Sequence, residues 1–232
     1  NKLYDLVYAN TAVTGFTAEN VTVTESGMGF MMPYGKNLSF KNVTLNVEGA
    51  GVGIYNYNAS TATFENCDFT ADPPVHLEQK NATNAYSLTF NGTNTFAGSD
   101  KWLKVIGTDA KFTVTLNDPS LDVHKTSGLI AGVGNVYYNT FDYALAQAKS
   151  TQEEDAVNIL ETVILSADQT IDFENIAVTS TVNPAFRITD GAAVTVENGN
   201  MNTEDGGYNF ILGASDGSSA GNLTIESGTY TG

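Results

Sequence analysis

Two sets of side chains in this sequence are spaced for chemistry. The first pairs carboxylates with imidazoles: Asp68 and Asp72 precede His76, and Asp118 and Asp122 precede His124. Carboxylates at i and i+4 beside a histidine are the material of general acid–base catalysis, or of an oxygen-ligand site for Ca2+. Turn formation and solvation account for the same residues equally well. Neither histidine has a second ligand at metal-binding spacing, so no zinc site is expected. Arg187, the only arginine, lies in RITDG with Asp190 and has no histidine near it in sequence.

The second set is aromatic. Tyr34 closes GMGFMMPYG (27–35), and Tyr55, Asn56, Tyr57 and Asn58 end GAGVGIYNYN (49–58). Asn84 and Tyr86 follow the Pro-Pro segment that begins at Asp72. Flat phenol rings suit sugar rings, amides suit sugar hydroxyls, and loops on a rigid scaffold are where recognition is usually found. The candidate ligand-binding residues are therefore Tyr34, Tyr55, Tyr57, Asn56, Asn58 and Tyr86. The competing expectation is that these aromatics fill corners of the fold. No catalytic residue and no metal ligand is assigned. No cofactor is expected, since Ca2+ has oxygen donors here but no specific motif.

The elements that must carry these groups come from a repeat, read most clearly in NLSFKNVTLNV (37–47). Leu38 and Phe40 alternate with polar residues, the apolar phase slips by one at Asn42, and it resumes at Val43, Leu45 and Val47. Strand side chains have a period of two, so one slip marks a corner turned around a common interior. Eight corners align, at Asn20, Asn42, Asn66, Gly92, Asp118, Asn175, Asn198 and Ser227, spaced by 22, 24, 26, 26, 57, 23 and 29 residues. All are turn formers. Before them run the inward pairs Leu38/Phe40, Ala62/Phe64, Leu88/Phe90 and their equivalents. After Gly92 and Asp118 the inward pairs are read as Thr93/Thr95 and Pro119/Leu121. Thr17, Ser39, Thr63, Thr89 and Thr115 form an outward hydroxyl column, ordinary for stacked strands. A period of this length signals a solenoid. An antiparallel sandwich also shows short strands between turns, but it has no reason to repeat one slip eight times.

Leu3, Leu6, Val7 and Val13 read as an incomplete first rung. Trp102, Leu103, Val105 and Ile106 compete to face inward, and Cys67 falls in an inward column as a small buried hydrophobe. The long gap between corners holds a different signal. Phe141, Ala144, Leu145 and Ala148 sit at i, i+3, i+4 and i+7, with Asn139 or Thr140 as N-cap and Asp142 in the first turn. A helix near 140–149 is expected to cap a coil end, followed by the polar exit STQEED (150–155). It divides a first β-helix module (1–132) from a helix-capped second module (133–232). Both modules are expected to be truncated, because the chain lacks an initiator Met and stops within a repeat.

Of 232 residues, 26 are acidic and 10 basic, giving a formal charge of −16. Polyanion binding needs basic patches, so nucleic acid and anionic membrane are poor partners. No apolar run approaches the length of a membrane span. One cysteine excludes an internal disulfide. The sequons at Asn20, Asn42, Asn58, Asn81, Asn91 and Asn222 read as by-products of an Asn/Thr-rich repeat. The run from Asp205 to Asn222 reads as a surface excursion.

The phrase with Val136, Tyr138, Thr140, Phe141, Ala144, Leu145 and Ala148, followed by an apolar strand, resembles the segment that opens β-helix modules in large surface proteins of anaerobic bacteria. The repeats resemble the pectin-lyase-like superfamily of right-handed parallel β-helices. That resemblance implies a right-handed coil and an extracellular or cell-surface setting. Its enzymes act on polysaccharides, lyases with Asp-bound calcium and an Arg or Lys base, hydrolases with clustered Asp near His and Arg. The hydrolases' Gly-His-Gly motif is absent here. The expected fold is thus all-β, a right-handed parallel β-helix with one short capping helix. The expected function is a non-catalytic, adhesin-like or ligand-presenting scaffold of a bacterial surface protein. Its expected partners are an extracellular glycan, a host or neighbour-cell protein, and neighbouring repeats of a longer chain. A polysaccharide lyase or glycoside hydrolase is the first alternative, and a purely structural stalk the second.

Overall fold

The computed structural model describes residues 5–151, 155–204 and 206–232. Leu3, the middle of the 150–155 exit and Asp205 lie outside them. The fold is a parallel β-solenoid with one short α-helix among the described residues. Two compact units are present, residues 1–128 and 129–232. The strand Ala131–Val133 goes with the second unit, where it pairs with Val136–Tyr138 and Val157–Ile159.

Successive coils of the first unit stack their strands on three sides. One side stacks Asp5–Tyr8, Met28–Met32, Val52–Tyr55, Val75–Glu78, Leu103–Ile106 and Thr126–Ser127. The second stacks Thr17–Glu19, Leu38–Lys41, Ser60–Glu65, Tyr86–Asn91 and Phe112–Leu116, and the third Thr22–Ser26, Thr44–Val47, Asp68–Thr70 and Thr95–Ala97. Every neighbouring pair on these sides is parallel. The register puts Leu38, Ala62 and Leu88 in one inward column and Phe40, Phe64 and Phe90 in the next. Those three rings stack face to face, with centroids 5.1 and 4.8 Å apart. The outward hydroxyl column is also in register, from Thr17 to Thr115. Of the KWLKVIG residues, Trp102, Leu103 and Val105 are buried and Ile106 is exposed.

The corners explain why asparagine recurs. Asn20, Asn42, Asn66, Asn175 and Asn198 hold φ between 49° and 62°, the left-handed region that asparagine tolerates best after glycine. Their carboxamides also link successive coils, Asn42 Nδ2 donating to Asn20 Oδ1 at 2.9 Å and Asn66 Nδ2 to Asn42 Oδ1 at 3.5 Å. At Gly92 a Cβ would lie 2.2 Å from Asn66 Oδ1, the oxygen that accepts from Thr93 N.

Two corners differ from expectation. Past Gly92 the chain takes one extra residue before turning inward, so Asn94 is buried and Phe96 aligns with Phe69, while Thr93 and Thr95 face out. At the next coil Asp118 itself turns inward and is 1% exposed, and Pro119 is exposed. The two inward polar groups satisfy each other: Asp118 Oδ2 accepts from Asn94 Nδ2 at 3.0 Å, and Asn94 Oδ1 accepts from Cys67 N at 2.9 Å. Ser120 donates to Asp118 Oδ1 through both its amide and its hydroxyl. Asp118 and Ser227 therefore lack the left-handed backbone of the other corners; the positive φ at the last one falls on Gly228.

In the second unit Val157–Ile159, Ala177–Ser180, Gly199–Thr203 and Gly228–Thr231 stack in parallel. Two three-stranded sides complete it, Val163–Leu165 with Phe186–Ile188 and Phe210–Leu212, and Gln169–Asp172 with Ala193–Glu197 and Asn222–Ile225. The helix spans Phe141–Thr151. Thr140 is its N-cap, accepting from Tyr143 N at 3.2 Å, the bond that satisfies an otherwise orphan amide of the first turn. Its buried stripe is the expected Phe141, Ala144, Leu145 and Ala148. Phe141 meets Phe186 edge-on at 4.9 Å and Phe173 at 6.0 Å, so the stripe closes over the unit's apolar interior.

Candidate functional site

The acid–histidine sets do not assemble into sites. Asp68 and His76 stand on strands of different sides. Asp122 accepts from His124 N at 2.9 Å and so caps the short turn Val123–Lys125, while Asp118 holds Asn94 and Ser120. Arg187 donates to Gly213 O at 2.9 Å, and Asp190 accepts from the Thr189 hydroxyl. In the second unit a cleft of about 180 Å³ runs beside the helix, lined by Asp142, Lys149, Gln169 and Asp172. Two of its charged groups have partners: Lys149 pairs with Glu174 at 3.0 Å, and Asn198 donates to Asp172 at 2.9 Å.

The aromatic set converges, though not with every expected member. Alternation on the side built from Asp5–Tyr8, Met28–Met32, Val52–Tyr55 and Val75–Glu78 sends Phe30, Val52 and Val75 inward. It leaves Tyr8, Tyr55 and His76 outside. Tyr8 is 58% exposed and Tyr57 42%. Tyr34 stacks on Tyr57 with centroids 4.6 Å apart and planes 17° from parallel, and Asn58 Nδ2 donates to Tyr34 O at 3.3 Å. Burial above all, then Glu78, raises the Tyr55 phenol above its ordinary value; Tyr8 and Tyr57 also lie near enough to raise it, and Lys80 opposes them. Met31, in register between Tyr8 and Gly53 on this same face, is buried, and its thioether lies over Gly53, where a Cβ would be only 2.5 Å from Met31 Cε.

Two expected ligand residues are structural instead. Tyr86 is fully buried, opposite Phe112, and its hydroxyl donates to Gly35 O at 3.1 Å and Thr61 O at 3.3 Å. It is an interior ring with its polar end satisfied, and it offers no face to a ligand. Asn56 is also fully buried. Its Nδ2 donates to Asn81 O and Asn84 O at 2.6 and 2.7 Å, and its Oδ1 accepts from Asn81 N at 2.9 Å. That amide folds the 78–84 connection, and a buried amide is retained where each of its groups finds a partner.

The sequence reading missed Tyr8 and the charged rim beside Tyr55. Tyr8 was legible as the outward partner of Leu6 in the alternating strand DLVY. The rim consists of His76, Glu78, Lys80 and Lys104. His76 meets the Tyr55 ring edge-on at 6.1 Å and 90°, and Lys80 Nζ stands 4.9 Å over the same ring. Lys80 also contacts Glu78 Oε1. His76 pairs in register with Gly53 on one side and Lys104 on the other.

No protein-family model, no curated protein and no solved structure matches this chain. The fold and the surface together define its class: a parallel β-solenoid carrying an exposed tyrosine cluster on one outer side of its first unit.

Proposed function

We propose that this chain is a non-catalytic, ligand-presenting scaffold of a bacterial surface protein, and that its tyrosine cluster binds an extracellular glycan. The observation that carries the reading is the convergence of Tyr8 and Tyr55 on one side with Tyr34 and Tyr57 in the turns that follow its strands. Exposed aromatic rings on a rigid sheet present flat apolar faces with hydroxyls at their edges, which matches the amphipathic faces of sugar rings. The surrounding strands lock the rings' positions, so little ordering entropy is lost on binding. Capture of this kind requires no cofactor. The acidic, self-repelling surface suits an extracellular stalk, with neighbouring repeats as its partners. A lyase or hydrolase would need acid, base and electrophile within reach of one bond. Asp118 and Asp122 are instead engaged in turn and buried bonds, and Asp68 stands on a different side from His76.

A glycan array on the folded protein, repeated with Tyr55→Ala/Tyr57→Ala and with Tyr8→Ala, tests the reading. Specific binding lost in both variants is the expected result. Binding that survives them moves the site elsewhere, absence of binding favours a host-protein ligand or a plain stalk, and turnover of any polysaccharide overturns the non-catalytic assignment.

A further inference from the structure

We propose that His76, Glu78 and Lys80 form a proton-operated latch over the Tyr55 ring, closed at neutral pH and open in mild acid. Glu78 is the shared element. Its Oε1 holds Lys80 Nζ, which in turn stands over the Tyr55 face. Its Oε2 lies 3.7 Å from His76 Nε2, beyond hydrogen-bond reach. That nitrogen is buried and has no hydrogen-bond partner among the described residues, an arrangement proteins avoid unless something else uses it.

The groups facing His76 are few. Its own strand supplies Glu78, the strand on one side supplies Gly53 and Tyr55, the strand on the other supplies Lys104, and the following connection supplies Lys80. One anion thus serves the Lys80 ammonium and faces a neutral imidazole. When a proton from water binds Nε2, the new imidazolium draws Glu78 Oε2 into a charge-assisted hydrogen bond. Glu78 then divides its charge between two cations, while the new charge on His76 repels Lys80. Lys80, a third exposed in its side chain, is free to swing into water and uncover Tyr55.

Burial foremost, and then Lys104 and Lys80, hold His76 below the ordinary imidazole value of 6.5 against the opposing pull of Glu78, so the change falls on the acid side of neutrality. The sign follows from linkage: the folded state binds this proton less readily than the unfolded chain. The neutral imidazole's advantage is complete above the ordinary value and is lost as pH falls below it. The latch stands on the contacts alone; its effect on glycan capture rests on the function proposed above.

Nuclear magnetic resonance separates the two. Methylene protons of a lysine lying on a ring are shifted upfield by the ring current. We expect the Lys80 displacement, present at about pH 7, to collapse at the lower pH at which the His76 ring signals report its protonation. His76→Gln, which cannot gain the proton, should keep the displacement at both values. Lys80 signals that stay in place through the His76 titration, or that move equally in His76→Gln, overturn the latch. If a glycan binds, wild type should bind it several-fold tighter at the lower pH and Lys80→Gln should not. If none binds, the proposed function falls while the Lys80 signals still decide the latch.

Discussion

Replacing Phe64 with alanine tests the central claim that one column of rings holds the first unit together. Phe64 is fully buried, sandwiched between Phe40 and Phe90 and edge-on to Phe69 at 6.3 Å. Phe→Ala in a core costs about 3–5 kcal/mol, and a stacked pair adds about 0.5–1.5 kcal/mol beyond area. The void cannot close easily, because Ser60–Glu65 is held in a ladder on both edges. The expected loss is therefore near the upper end, about 5 kcal/mol. Phe64→Leu keeps most of the volume and should lose about 1–2 kcal/mol. Trp102, the only tryptophan, packs on Phe90 and Phe96, so its fluorescence reports unfolding of this unit in urea. A loss below about 1 kcal/mol for the alanine variant, or no difference from leucine, refutes the reasoning.

Three further outcomes are expected. Leu145→Asp places a charge in the buried helix stripe and should lower the second unit's stability by about 3 kcal/mol in thermal melts; an unchanged melting temperature contradicts the packing of that face. Cys67 is 1% exposed and burial pushes its thiol up to about 11, so native protein should not react with a thiol reagent at about pH 8, whereas unfolded protein should. Asp118→Ala orphans the buried donors of Asn94 and should cost about 3 kcal/mol. Burial raises the Asp118 carboxyl, but bonds from Ser120 and Asn94 outweigh it and hold it below its ordinary 3.8. Its stabilisation is therefore complete above that value and lost as pH falls beneath it, a loss that Asp118→Asn should not show in urea titrations.

Much of the fold was legible because strand alternation and a turn-forming corner are local signals. The slip at Asn42 and the spacing of Phe141, Ala144, Leu145 and Ala148 each report one element's own geometry. The misreadings occurred where a polar residue turned inward, since Asn94 and Asp118 become tolerable only as each other's partners, and that pairing bridges 24 residues. Tyr86 was misplaced for a simpler reason. It lies two residues before Leu88 in the same strand, and extending the alternation back to it predicts an interior ring. The tyrosine cluster was half visible: Tyr34, Tyr55 and Tyr57 share short motifs, whereas Tyr8 and His76 join them only through the register of successive coils.

The unequal corner spacings have a consequence for how such a chain diversifies. From Asn20 to Gly92 the intervals grow from 22 to 26 residues, yet Ala18, Phe40, Phe64 and Phe90 remain partners. All the added length is absorbed outside the ladder. Doubling a connection costs only about 0.6 kcal/mol in closure entropy, far less than one lost ring of the stack. The exposed turn tip at 82–83, between the strands Val75–Glu78 and Tyr86–Asn91, is therefore open to insertion while the coil beneath keeps its count. Grafting a foreign peptide there should leave the ladder intact, so a lineage, or a designer, can rewrite what this surface displays without renegotiating how it folds.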